Sequence, residues 1–308
     1  MLNNKQDHLF DWFLIFWQRK LIIFVITFFA CIYSVFEALS IPNTYRSEIL
    51  LASVQPTESR SSLLSQYSGL ASLAGVNLSG VSSVSKERMA IELLKSRGFL
   101  GDFFEKHSIV PDLMYAAYWD SQSKTIVYDD TIYDSKNRVL INPLAKPKFY
   151  EVFDAFRGAL AVNQDPETGL VKVSLDHLSP EKAQEWLTWL VDDLNETMRL
   201  RDINQAKRSI EYLKKQEEKN SLAELDQIFF QLIQSQVQTI MLAEAKPEYI
   251  FTIVDPATLP ELKVGPRRAL IVIVGTLMGV MAGALFSLLM FFKPHLKINA
   301  TSKNSADS

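Results

Sequence analysis

The sequence has one cysteine, Cys31, so no disulfide can staple any part of it. Histidine is almost as scarce: four residues, at 8, 107, 177 and 295, with no HExxH and no Cys–His pairing. Those scattered positions support neither a metal site nor a cysteine nucleophile. A GxSxG elbow and a GxxxxGK[ST] phosphate loop are both missing. Adjacent acids occur at Asp129-Asp130, Asp192-Asp193 and Glu217-Glu218, but neighbours on a helix or strand point apart and read as solvated surface. The expectation is a chain that is not an enzyme, without catalytic residue, metal or cofactor, and without a nucleic-acid partner.

Charge is also missing from two long stretches. Overall values, 48% hydrophobic residues, a net charge of −3 and a mean hydropathy of +0.04, would suit a soluble protein if the apolar residues were spread evenly. They are not. Ala269 to Phe292 carries no charge, and at about 1.5 Å per residue it exceeds the roughly 30 Å hydrocarbon core of a bilayer. Leu21 to Leu39 is the second such run, with Glu37 near its far edge as the only carboxylate. A signal peptide is the rival reading of that first run. Its apolar part is longer than the usual ~7–15 residues, no small-x-small site follows, and Phe29 blocks a lipid-attachment reading of "FFAC". An uncleaved anchor is expected. Before it, "HLFDWFLIFWQRK" mixes Phe10, Trp12, Phe13, Phe16 and Trp17 with Arg19 and Lys20, which suits either a membrane interface or an extension of the same helix.

Lys5, Arg19 and Lys20 against Arg46 alone place the N-terminus in the cytoplasm by the positive-inside rule. Two crossings then predict a cytoplasmic segment 1–20, a transmembrane helix 21–40, a periplasmic domain 41–266, a transmembrane helix 267–292 and a cytoplasmic tail 293–308. The expected fold is an α+β periplasmic domain with a membrane-proximal sheet and long projecting helices, anchored by the two transmembrane helices.

Within that domain, "YRSEILLASV" (Tyr45 to Val54) alternates as a strand should, and Gln55 to Ser85 is Ser- and Gly-rich like a loop. "SKERMAIELLKSRG" predicts a helix capped by Ser85 and closed by Gly98, with Met89, Leu93 and Leu94 inward. "FLGDFFEKH" and "PDLMYAAYW" read as further short helices, and "KPKFYEVFDAFRGAL" as a helix lying on a sheet through Phe149, Val152, Phe153 and Phe156. "LAVNQDPETGLVKVSL" reads as a hairpin turning at Asp165 to Gly169. Ser179-Pro180-Glu181 then opens a helix that nothing interrupts until about residue 219. Its narrow apolar stripe, Leu187, Val191, Leu194, Met198, Ile203, Ala206, Ile210 and Leu213, predicts lateral contact with neighbouring copies, or packing on its own domain. Asn220-Ser221, with Glu224, resets the pattern for a second helix, and "EYIFTIVDPA" is a strand that should share a sheet with the one near Tyr45.

Pro256, Pro260 and Pro266 favour extended backbone, so the stretch before the second run predicts a stiff strut, with Arg267 and Arg268 among lipid headgroups. Gly275, Gly279 and Gly283 recur every four residues, and Ala30, Ser34 and Ala38 do the same in the first run. Two small-residue stripes can meet closely, within one chain or between chains.

The chain resembles the Wzz-type polysaccharide co-polymerases, the kinase-free branch of bacterial chain-length determinants of lipopolysaccharide O-antigen. The resemblance is carried by "LIQSQVQTIMLAEAKPEYIFTIVDPATLPELKVGPRRALIVIVGTLMG", by "IPNTYRSEILL" and by "TGLVKVSLDHLSPEKAQEW". It implies an inner-membrane homo-oligomer, partnered with the O-antigen polymerase and with undecaprenyl-pyrophosphate-linked polysaccharide as well as membrane lipid. It also makes Pro256, Pro260, Pro266, Gly275, Gly279 and Gly283 a proline-glycine-rich signature. The competing readings are a two-span periplasmic sensor and a transport adaptor protein.

Overall fold

A computed structural model describes residues 20–54, 86–218 and 223–304. The aromatic segment before residue 20, the Ser/Gly-rich stretch with the Ser85 cap, and the Asn220-Ser221 reset lie outside the described residues. The chain divides into two units, one formed by residues 1–43 and 264–308, the other by residues 44–263.

The first unit is built on two helices, α1 (Lys20–Ser40) and α8 (Arg268–Asn304). Each is long and apolar enough to cross a membrane, over Lys20–Ser40 and Arg268–Met290. Helix α8 does not stop where the uncharged run ends at Phe292 but continues to Asn304.

The second unit begins with strand β1 (Thr44–Ser53), where Ser47, Ile49 and Leu51 alternate inward as the sequence pattern requires. Helices α2 (Lys86–Leu94), α3 (Arg97–His107) and α4 (Val110–Met114) follow. Two small hairpins come next, β2 (Ala116–Asp120) with β3 (Thr125–Tyr128), and β4 (Tyr133–Asp134) with β5 (Val139–Leu140). Helix α5 (Phe149–Ala159) leads directly into β6 (Leu160–Gln164), which turns into β7 (Val171–His177). Gly169, at φ +73°, supplies the left-handed residue that this turn needs. Helix α6 (Pro180–Glu217) and helix α7 (Ala223–Ala245) lead to β8 (Phe251–Asp255) and the short β9 (Lys263–Gly265).

The main sheet has the order β6-β7-β1-β8, every neighbouring pair antiparallel. The expected pairing of β1 with β8 is present, and the short β9, which precedes α8 in sequence, pairs with β1 as a fifth strand. One face carries Ile49, Leu51, Val171, Val173 and Leu175 into a core shared with Phe103, Phe156, Trp186, Leu187, Leu190 and Leu194. Buried Asn195 bolts α6 to β8: its Nδ2 donates to the Phe251 carbonyl at 3.0 Å, and its Oδ1 accepts from the Ile250 and Phe251 amides, each at 3.0 Å.

Several expectations are corrected by this packing. Helix α2 turns Ala90, Ile91 and Leu94 inward and leaves Met89 exposed; Gly98 sits inside α3, whose cap is Ser96. "PDLMYAAYW" splits into a short helix and strand β2. As the sequence predicts, the long helix starts at its Ser179 cap, which accepts from the Lys182 amide at 3.3 Å. Its stripe finds partners in its own chain: the first half is buried on the sheet, and the second half is paired along α7.

Candidate functional site

Glycine at every fourth position strips one face of α8 of side chains over Gly275, Gly279 and Gly283, and Ser287 continues the row. Helix α1 lies on that face. Gly279, Gly283 and Ser287 are buried in the seam, as are Ser34 and Ala38 opposite. The backbones approach so closely that a Cβ does not fit. Built at Gly275, it would lie 2.3 Å from Ser34 Oγ and 2.6 Å from Ser34 Cβ; at Gly279, 2.5 Å from Ala30 Cβ. At Gly283 it would lie 3.2 Å from Ile23 Cα. Contacting carbons need about 3.5–4.0 Å, so only glycine is accommodated at the first two positions without a shift.

The partners step from Ser34 to Ala30 to Ile23 as the glycine numbers rise, which makes the helices antiparallel. Ser34 Oγ donates to the Ile271 carbonyl at 3.0 Å, a side-chain bond across the seam. The predicted small-residue stripes thus meet within one chain. Close packing and such bonds hold helices together where no hydrophobic effect operates between them. The outer faces, with Phe24, Phe29 and Phe36 on α1 and Leu277, Met281 and Leu285 on α8, stay exposed, a far larger apolar surface than water tolerates. Among the described residues, Thr27 Oγ1, Ser287 Oγ and Arg268 Nε are buried without a hydrogen-bond partner.

The flanking residues are held at both ends of the expected strut. Arg268 Nη2 reaches Asn43 Oδ1 at 3.2 Å and the Ile41 carbonyl at 3.5 Å, just past the C-terminus of α1, where the helix dipole favours a cation. Arg267 stays exposed. The start of the proline segment is docked on the second unit. Ala257 is buried and accepts from Gln184 Nε2 at 2.7 Å, Thr258 N donates to the Glu48 carbonyl at 3.2 Å, and the Thr258 carbonyl accepts from Ser47 Oγ at 2.8 Å. Pro256 marks the end of β8, as the sequence predicts, and residues 257 and 258 are held on the sheet. Residues 263–265 are extended as β9, and the Gly265–Pro266 peptide is cis. Pro260 and Pro266 are half-buried. The structure thus brings the three glycines together with α1, sets Arg268 at one end of their seam, and spreads the three prolines along the approach to it.

In the second unit the packing gathers polar groups that the sequence kept apart. Asp193, read as solvated, is largely buried and takes Lys106 Nζ at 2.5 Å and His107 Nε2 at 2.8 Å. The His107 ring stacks on Trp189 at 4.4 Å. Burial, reinforced by Asp193 beside it, raises the carboxyl pKa of Asp192. His177 is buried with both nitrogens engaged: Nδ1 accepts from the Ser179 amide at 3.0 Å, leaving Nε2 to donate to the Asp112 carbonyl at 3.2 Å. Burial pushes its pKa below the ordinary histidine value. Both histidines find partners far away in sequence, which is why spacing alone gave no sign of them.

Two family models match this chain. The one described as "Chain length determinant protein" covers residues 8–107, which include α1, β1 and the helices α2 and α3. The one described as "G-rich domain on putative tyrosine kinase" covers residues 221–290, which include α7, the proline segment and the glycine face of α8. No curated protein matches the chain significantly. Among solved structures, a "full-length bacterial polysaccharide co-polymerase" aligns at 13% identity over 90% of this chain and 95% of that one, with a TM-score of 0.35. A "Fragment of WzzB, Polysaccharide Co-polymerase from Salmonella Typhimurium" aligns at 14% identity over 72% of this chain and all of that one, with a TM-score of 0.28.

Proposed function

We propose that this chain, which belongs to the Wzz-type polysaccharide co-polymerase family through its chain-length-determinant and G-rich domains, regulates the length distribution of lipopolysaccharide O-antigen or a related surface glycan. It acts without catalysis. Anchored in the inner membrane by α1 and α8, with both termini cytoplasmic and the α/β unit in the periplasm, it holds the polymerase beside its undecaprenyl-pyrophosphate-linked product. Copies associate into a homo-oligomer, so that one scaffold presents many equivalent surfaces to the growing chain.

One observation carries this reading: the two family matches fall on the two ends of the chain, and the glycine seam joins those ends. A seam too tight for a Cβ fixes the spacing of the two apolar helices. The positive residues before α1 support the cytoplasmic placement of the N-terminus.

Deletion of the gene, followed by separation of surface glycans on a gel, tests the proposal. Polymer that is still made but has lost its modal length, restored by the wild-type gene, is the expected outcome. An unchanged ladder would refute it.

A further inference from the structure

Residues 135–150, "SKNRVLINPLAKPKFY", contain Lys136, Arg138, Lys146 and Lys148 and no acid. They are also exposed almost throughout. Five apolar side chains face outward there: Val139 at 57% exposure, Ile141 at 55%, Leu144 at 94%, Phe149 at 48% and Tyr150 at 54%. Leu144 is held out by a defined turn rather than by a loose loop. It is the middle residue of the single 3-10 turn Pro143–Ala145; Asn142 Oδ1 accepts from its amide at 3.0 Å, and the Lys146 amide closes the turn onto the Pro143 carbonyl at 3.4 Å. The carboxylates at its two edges are turned onto the stretch itself, Asp134 accepting from the Lys136 and Asn137 amides and Glu151 from the Lys148 amide and Tyr150 OH, so the four basic residues leave it with an excess of positive charge. An exposed leucine on a fixed turn within such a basic stretch is suited to a surface that is apolar within and anionic at its rim.

The position of this patch in the second unit points the same way. Tyr45 pairs with His177 at the beginning of β1. His177 bonds the Asp112 carbonyl, the Asp112 carboxylate accepts from Tyr128 OH at 2.6 Å, and the Tyr128 and Tyr133 rings lie 5.3 Å apart. Tyr133 in turn pairs with Leu140, next to Ile141. A continuous set of contacts therefore ties the patch to the end of the sheet at which β1 begins. Tyr45 follows Ser40, the last residue of α1, by five residues, a reach of at most ~18 Å. Tyr118, exposed on the neighbouring hairpin, adds an aromatic of the kind enriched at membrane interfaces.

We propose that residues 135–150 form a third membrane contact, in which Leu144, Ile141 and Val139 enter the interface of the adjoining leaflet and the four basic residues engage anionic lipid headgroups. This rests on the reading of α1 and α8 as membrane-crossing helices. The contact would hold the second unit against the bilayer.

The test uses the full chain in nanodiscs containing phosphatidylglycerol, with an environment-sensitive fluorophore at one cysteine and doxyl-labelled lipid as quencher. Leu144→Cys in a Cys31→Ala background is compared with Thr168→Cys, on the β6–β7 turn, and with the native Cys31 in α1. The expected result is quenching at 144 at least roughly twofold stronger than at 168, reduced when Lys136, Arg138, Lys146 and Lys148 are all changed to Gln or when the lipid is neutral. Quenching at Cys31 with none at 144 overturns this inference alone. So does shielding of 144 from aqueous iodide without lipid quenching, which would mark contact with another copy or another protein. Absence of quenching at Cys31 overturns the membrane-crossing reading itself.

Discussion

Replacing the seam glycines one at a time by alanine should give a ranked series. At Gly279 the new Cβ would sit 2.5 Å from Ala30 Cβ, and at Gly275 2.6 Å from Ser34 Cβ. Ordinary carbon contact is about 3.5–4.0 Å, so the helices must part locally by about 1–1.5 Å. Such overpacking costs about 1–3 kcal/mol. At Gly275 the shift also stretches the 3.0 Å bond from Ser34 Oγ to the Ile271 carbonyl beyond bonding range, adding about 0.6 kcal/mol and at most ~1.7. At Gly283 the nearest atom would be 3.2 Å away, and a few tenths of an ångström suffice, for a cost below about 1 kcal/mol. Steric trapping of the helix pair in bicelles, with the full chain, reads these differences directly. The expected order of loss is Gly275→Ala, then Gly279→Ala, then Gly283→Ala. Three neutral substitutions, or Gly283→Ala as damaging as Gly275→Ala, would refute a seam closed by glycine contact.

The bulkier Gly279→Leu should broaden or shift the glycan length distribution while the protein is still inserted and expressed; a wild-type ladder would separate the seam from function. Asn195→Leu removes three bonds to the backbone of Ile250 and Phe251 and leaves those groups buried, so chemical denaturation should show a loss of about 3 kcal/mol, whereas an unchanged midpoint would mean that water or a shifted strand replaces the side chain. His177 gives a pH signature. Its folded pKa lies below the unfolded value, first because of burial and further because of Lys182, opposed by its bonds to Asp112 and Ser179 and by the Asp112 carboxylate. Protonating Nδ1 would also turn it against the Ser179 amide, at the N-cap of α6. The unfolded chain therefore takes up the proton first, and as pH falls below about 6.5 stability should drop by up to about 1.4 kcal/mol per pH unit until the folded pKa is reached. Denaturation midpoints between pH values of about 7 and 5 measure this. His177→Gln should flatten that slope; an equal slope in the variant would assign it to other groups.

The elements that could be read from sequence are those whose signals are local. Uncharged length marked α1 and α8, alternation marked β1 and β8, and Ser179-Pro180-Glu181 marked the start of α6. The glycine and small-residue stripes were visible as well, because a four-residue period on a helix is a face. Their meeting within one chain was not visible, since pairing depends on a neighbour some 240 residues away, as between Ser34 and Ile271, whose separation is 237. The same limit applies to α2, where tertiary packing selected Ala90, Ile91 and Leu94 over the larger Met89. Gly98 offered a helix stop, but Ser96 restarted the helix instead, its hydroxyl accepting from the Phe99 amide at 3.3 Å. Proline spacing marked a stiff strut, but composition carries no record of Gln184, Ser47 and Glu48, which capture residues 257 and 258 at its start.

The most direct test of one exported domain held by two membrane legs is impermeant-maleimide labelling of single cysteines in whole cells with a permeabilised outer membrane, in a Cys31→Ala background. Thr168→Cys should label before the inner membrane is opened, and Lys303→Cys only afterwards. Labelling of Lys303→Cys in intact spheroplasts, or protection of Thr168→Cys there, would contradict the topology on which the proposed chain-length control depends.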